Sequence, residues 1–261
     1  MGIEDLFSRF VLRRVATNEW RRQRFADEDF SGRSFQHLRI VNSRFVRCRF
    51  DDSTFNDLRV WKSSFEDCRF QRSNLRGAAL GPVDSGRCNE FVGTDFSDAH
   101  LRETNYSSAV FDSCRFDAVR IDEVDFQGSR FSHCRFSGQL REVQFSQLGF
   151  SAEKLPGNEM TNIDFSEASL RRVQFKQLDL SNCKLPRDEW HVVIPEFKRF
   201  LLQAVDRLLK DPRSSDAELR LVLEESRRHA PQTGIGVLNR RDFYEMGRHC
   251  GERFDELVAD V

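Results

Sequence analysis

No apolar run in this sequence approaches the roughly 18 residues that a membrane-spanning helix requires. The opening stretch, MGIEDLFSRFVLRR, also lacks the continuous apolar segment of a secretory signal. Position 6 is Leu6, where the myristoylation pattern needs Ser or Thr. These absences lead us to expect a cytoplasmic protein. An excess of one charge is missing too: 41 Lys and Arg stand against 42 Asp and Glu, so neither nucleic acid nor an anionic membrane is implied as a partner. The phosphate-binding pattern G-x-x-x-x-G-K-[ST] does not occur, and no C-x-x-C links any of the 7 cysteines. The 6 histidines show no metal-ligand spacing, and on a helix His249 points about 100° away from Cys250, which removes a Cys–His catalytic pair. No catalytic, cofactor-binding or metal residue is assigned, and the chain reads as a non-enzyme that needs no cofactor.

What is present is phenylalanine, 25 residues of it, and its spacing organises the chain. Between Arg21 and Leu185 every Phe falls on a ladder with a step of five, beginning Phe25, Phe30, Phe35, Phe45, Phe50, Phe55, Phe65, Phe70. A helix period of 3.6 or a strand period of 2 would smear these residues across phases, so the unit is an internal repeat. Two residues before each rung lies a second, usually small position, as in Ser43, Cys48, Ser53, Cys68, Ala78, Ala109, Cys114 and Cys134. One large and one small apolar position in five describe a chain that turns inward twice and then makes a corner. No coil can hide its own inner residues, so coils must stack into a solenoid.

Stretches such as RFVRCRFDDSTF and SFEDCRFQRSNLRGAAL resemble the pentapeptide-repeat family. The resemblance implies an all-β, right-handed quadrilateral β-helix of about eight coils, with twenty residues per coil. Reading every fourth rung then gives a column Ile40, Val60, Leu80, Leu101, Ile121, Leu140, Met160, Leu180 that holds no Phe. Its neighbour reads Phe30, Phe50, Phe70, Phe91, Phe111, Phe131, Phe150, and we take that as the structural ladder. Strand spacing of about 4.8 Å makes the rod about 40 Å long.

Interruptions mark where the coil is broken. Between Leu80 and Phe91 there are eleven residues where ten are expected, and the rung near Ser85 is missing. Gly81, Pro82 and Gly86 predict a protruding loop at 81–90. A one-residue deletion follows Phe136. In SAEKLPGNEM, Glu153 and Asn158 fall on normally small inward positions, so a second bulge is expected there.

The domains read as an N-terminal capping helix at 1–20 (Ile3, Leu6, Phe7, Phe10 and Val11 on one side), the array at 21–185, and a helical C-terminal domain at 186–261. Helical stripes there are Phe197, Leu201, Ala204, Leu208; a segment from Ala217 to His229; and a third helix from about Arg240 with Phe243, Met246, Cys250, Phe254 and Leu257. They are expected to cover the last coil, with homodimerisation through the same helices as a further expectation. Five cysteines, Cys48, Cys68, Cys114, Cys134 and Cys183, sit at the small inward position and read as reduced packing residues, leaving Cys88 as the candidate reactive thiol.

Candidate partner-binding residues are Val41 and Trp61, one residue past their rungs and one coil apart; Pro82, Asp84, Arg87 and Glu90 of the loop; and Arg115 and Arg135 on the rod. The N-terminal helix covering Val41 and Trp61 is the alternative to a partner there. The function expected is a non-catalytic protein-interaction scaffold. Through the family resemblance the alternative is a DNA gyrase or topoisomerase partner, since members related to quinolone resistance act on gyrase and some mimic duplex DNA. A mimic needs a continuous acidic stripe. Here Arg49 and Arg69 follow Asp29 on one side, while Arg115, Arg135, Lys154 and Lys176 populate the next. No direct nucleic-acid or membrane partner is expected.

Overall fold

A computed structural model describes residues 18–81, 87–148, 157–213, 216–259 and 261. The helix expected at residues 3 to 15 lies outside them. The array begins earlier than the sequence suggests: Glu19–Arg21 is already a strand, in register with Arg39–Val41, and Trp20 is a rung stacked under Ile40.

Parallel pairing assigns every rung to one of four sides. The first side runs Trp20, Ile40, Val60, Leu80, Tyr106, Phe126, Phe145, Phe175. The second runs Phe25, Phe45, Phe65, Phe91, Phe111, Phe131, Met160, Leu180. The third is Phe30, Phe50, Phe70, Phe96, Phe116, Phe136, Phe165, Leu185. The fourth is Phe35, Phe55, Leu75, Leu101, Ile121, Leu140, Leu170.

This corrects the columns read from the sequence. Phe65 pairs with Phe91, not with a missing rung near Ser85, so that coil holds 26 residues and the insertion is six residues long (26 − 20). Phe30, Phe50 and Phe70 lie on the third side, whereas Phe91, Phe111 and Phe131 lie on the second. An insertion of six is one full step of five plus one, so counting sees it as a single extra residue and assigns each later rung to the adjacent side. No side is free of aromatics throughout. The aliphatic column is Ile40, Val60, Leu80 on the first side, then passes to Leu101, Ile121, Leu140, Leu170 on the fourth. In the coils that begin at Ile40, Tyr106 and Phe126, three aromatics oppose one aliphatic rung, so large rings are offset by a slimmer side chain across the tube.

Within a column the rings stack at the strand spacing: Phe45 on Phe65 at 4.7 Å and 3°, Phe116 on Phe136 at 4.6 Å and 2°. That spacing exceeds the roughly 3.5 to 4.0 Å of best carbon contact, so parallel rings must slide past one another, the offset arrangement that aromatic pairs favour. Rings of adjacent sides meet edge to face, as Phe25 and Phe30 do at 89°. Each buried ring contributes roughly 1.5 to 3 kcal/mol by transfer from water.

The small inward position has a polar duty as well. Ser53 and Ser73 donate to the carbonyls of Phe30 and Phe50 in the coil before, at 2.9 and 2.6 Å. Cys114, Cys134 and Cys183 do the same toward Phe91, Phe111 and Met160. None of the seven cysteines forms a disulfide. Burial pushes the Cys183 thiol up to about 12 and the Cys114 thiol well above its usual value, which suits packing and opposes reaction. Corners are made two residues past the rung, where Arg22, Asp27, His37, Asn42, Arg47, Asp52 and Asp57 all take left-handed φ between 50° and 59°.

The deletion after Phe136 is real: Ile121 pairs with Leu140, nineteen residues on, through a bulge at Phe116/Val119. Gly138 makes this fit, at φ +87° and with a Cβ position 2.8 Å from the Val119 carbonyl oxygen. In the second interruption the place opposite Phe131 is taken by Met160. Phe150, assigned to the ladder from the sequence, lies outside the described residues, and the rung expected of it belongs to Met160.

Beyond the array, His191–Ile194 and Gly236–Asn239 form an antiparallel pair. Four helices follow or flank it: α1 (Phe197–Lys210), α2 (Asp216–His229), α3 (Arg240–Met246) and α4 (Arg248–Val258). The single third helix expected from Arg240 is two, broken at Gly247, whose φ of +141° no other residue adopts easily. Phe197, Leu201, Ala204 and Leu208 are buried with Leu219, Leu223, Phe243, Cys250, Phe254 and Leu257 in a second core.

This unit closes the last coil by hydrogen bonds. His191 Nε2 accepts the Leu170 N–H at 3.0 Å, and Asn239 donates to the Leu170 carbonyl at 2.7 Å. Asp188 sits 2.9 Å from His191 Nδ1. Although desolvation works against it, hydrogen bonds from His191 and the Trp190 amide hold the Asp188 carboxyl below its usual range. Arg171 pairs with Asp242 at 2.9 Å across the same junction.

Candidate interaction surface

Both long insertions fall at the same corner, between the first and second sides. One separates Leu80 from Phe91 and the other separates Phe145 from Met160. Each return is clamped by a buried asparagine at the small inward position. Asn89 Nδ2 donates to the carbonyls of Val60 and Leu80 at 2.8 and 2.6 Å, while its Oδ1 accepts the Ser63 N–H at 3.0 Å. Asn158 Oδ1 accepts the N–H groups of Phe131 and Met160, both at 3.1 Å, and its backbone N–H donates to Gln147 O at 2.9 Å. In uninterrupted coils Ser43 fills this role, accepting from Gln23 N and donating to Trp20 O. The longer amide spans the displaced chain where a hydroxyl cannot. Asn158 stood out in the sequence as an oversized inward residue. Asn89 did not, although its place two residues before Phe91 is the same signal.

Val41 and Trp61 are directly paired and half-buried on the first side, just before this corner. The structure therefore sets them on the edge at which the insertions fall. At the insertion Gly81 is buried, and a Cβ there would overlap the backbone of Tyr106 and Ser107. Arg87 is exposed at the return, Cys88 is half-buried, and Glu90 is exposed in the strand Glu90–Val92, opposite Ser64. Pro82 and Asp84 lie outside the described residues.

Arg115 and Arg135 are not part of this edge. They stack one coil apart on the third side, in one outward column with Asp29, Arg49, Arg69 and Asp95, which corrects the two-sided distribution read from the sequence. Asp117 holds both, at 2.8 and 3.0 Å, and raises the pKa of each guanidinium. Across the rod, charges pair between coils: Arg47 with Asp27, Arg72 with Asp52, Arg49 with Asp29. Among the described residues no group of three His, Cys, Asp or Glu side chains is placed to hold a metal, and no helix is long and apolar enough to cross a membrane.

The family described as pentapeptide repeats matches residues 94–138 and 157–185, in 8 copies, and the gap between the two stretches contains the second insertion. No curated protein matches the sequence. Among solved structures the chain is similar to HetL, a pentapeptide repeat protein involved in heterocyst differentiation regulation in the cyanobacterium Nostoc sp. That likeness has 11% identity, 71% of this chain and 91% of that one, and a TM-score of 0.37. It is similar as well to full-length QnrB1, a plasmid-mediated fluoroquinolone resistance protein, at 16% identity, 60% and 84% coverage and a TM-score of 0.22. A third is Rfr23 of the cyanobacterium Cyanothece, at 9% identity, 69% and 99% coverage and a TM-score of 0.16. These likenesses are too loose to carry a functional argument. Residues 94–138 and 157–185 thus carry pentapeptide repeats, and the same five-residue sides stack in register from Trp20 to Leu185.

Proposed function

We propose that the chain is a non-catalytic protein-interaction scaffold, and that its partner lies along the edge shared by the first and second sides. The observation that supports this is the alignment of both insertions with the half-buried Val41–Trp61 pair on one corner. Elsewhere the described rod surface pairs its own charges across coils, which leaves little electrostatic demand for a partner. That self-pairing also leaves no continuous acidic stripe among the described residues, so a topoisomerase partner recognised through DNA mimicry has no support in the charge pattern.

The test uses a clean excision. Removing Gly81 to Gly86 leaves Leu80 and Phe91 five residues apart and restores a twenty-residue coil, so the rod stays intact while the insertion is gone. Affinity capture with the whole chain, this excision and Trp61→Ala should lose the same partner in both variants, with thermal midpoints retained for the excision. Equal capture by all three would defeat the assignment of the edge. Gyrase supercoiling assays with a fluoroquinolone decide the alternative: neither protection nor inhibition at micromolar protein removes it.

A further inference from the structure

The last coil is closed on its second and fourth sides but not on its first. On the fourth, Leu170 is capped by His191 and Asn239; on the second, the Leu180 N–H donates to Ile235 O at 3.2 Å. On the first side the strand Gln174–Lys176 pairs, among the described residues, only with Gln144–Ser146. That register, with Gln147 N donating to Lys176 O, turns the N–H and C=O of Phe175 away from the coil before. In earlier coils the equivalent N–H groups are used, Leu80 N by Asn105 O and Tyr106 N by Asp125 O. Only at Gln177 does the chain close this edge again, its N–H meeting His229 O at 2.6 Å.

A cavity of about 730 Å³ lies over this gap, floored by Val173, Phe175 and Leu178 and walled by Leu221, Val222 and Met246. Its volume is that of a ligand site. Phe175 stacks on Phe145 at 5.3 Å and presents its other face to the cavity; it is the aromatic rung left half-buried among the described ladder. Leu221 and Val222 on the α2 wall remain 61% and 39% exposed. Lys176, at the cavity's edge, has no carboxylate partner among the described residues, whereas nearby Arg172 pairs with Glu142 and Glu245. An unpaired strand edge, an open ring face and a lone cation one residue past it are what the next coil of a solenoid would satisfy.

We propose that this edge receives an extended segment of a partner protein, which adds as a strand to Gln174–Lys176, seats a large apolar residue on Phe175 and sets an acidic residue beside Lys176. The inference rests on the reading of the chain as a protein-interaction scaffold, and adds a second contact at the far end of the rod.

The probe is a fluorescein-labelled peptide copying residues 122–130, DEVDFQGSR, which supplies a first-side strand, together with its Gln127→Glu form, titrated into the full chain by fluorescence anisotropy. Saturable binding is expected, tighter for the acidic form. Val222→Arg should weaken it about tenfold or more while leaving the melting midpoint unchanged, and Lys176→Glu should reverse the preference between the two peptides. Absence of saturable binding by either peptide, or binding indifferent to Val222→Arg, overturns the proposal. Saturable binding of decanoate or anilinonaphthalene sulfonate without any peptide binding overturns it in favour of a small-molecule cavity. Capture of a cellular partner by Val222→Arg protein that binds no peptide would leave the scaffold reading standing and remove this site alone.

Discussion

Tyr106 is the rung that carries a hydroxyl into a tube built for hydrocarbon. The ring is fully buried between Leu80 and Phe126, Thr104 gives its own proton to Leu101 O at 3.0 Å, and the Tyr106 hydroxyl finds no partner among the described residues. Burial raises its pKa far above the usual phenol value. Tyr106→Phe removes an unsatisfied polar atom without changing shape, and should stabilise the fold by about 1 to 2 kcal/mol in a denaturant titration. The reverse holds at Asn89, whose three hydrogen bonds tie two coils together: Asn89→Ala leaves buried carbonyls and an amide unpaired and should cost about 3 kcal/mol. At Gly138 a side chain would meet the Val119 carbonyl in a left-handed backbone, so Gly138→Ala should destabilise by about 1 to 3 kcal/mol in the same measurement.

At the scale of elements, the ladder and its coil were legible because a large residue every fifth position has no other periodic reading. The side to which each rung belongs was not, since six inserted residues and one shift the count alike. Only the pairing of Phe65 with Phe91 separates them. The α1 stripe was legible from Phe197, Leu201, Ala204 and Leu208 for the same reason as the ladder. The strands His191–Ile194 and Gly236–Asn239 escaped notice: each has four residues, without alternation, and their partners lie some forty residues apart in sequence. Of the candidate site, Val41 with Trp61 was readable from coil arithmetic, while the Asn89 clamp and the His191–Asn239 cap depend on contacts that no local pattern announces. The cap also gives a pH dependence. The Asp188 carboxyl is held below its unfolded value, so its contribution is present above the ordinary carboxylate pKa of about 3.9 and is lost as pH falls through the lower folded value. Acid titration followed by Trp190 fluorescence should show the junction loosening only below about pH 4, and Asp188→Asn should abolish that step.

For the whole molecule, stability is distributed along a line. Each coil touches its neighbours only, so the two ends decide whether the rod is closed or continues. Deleting residues 187–261 removes the groups that cap Leu170 and Leu180 and exposes both strands to pairing with another copy. Size-exclusion chromatography should show association of the truncated chain at micromolar concentration; a monomer with and without the tail would sink homodimerisation through the helices as well.

The asparagine clamps bear on how the chain keeps its place. After each detour the next rung is located by amide hydrogen bonds to coils already laid down, so the number of residues spent outside leaves no trace in the register. Height along the rod is thus measured in coils, and segments of unlike length can be displayed from fixed marks on one ruled edge, each free to change its sequence without moving the other.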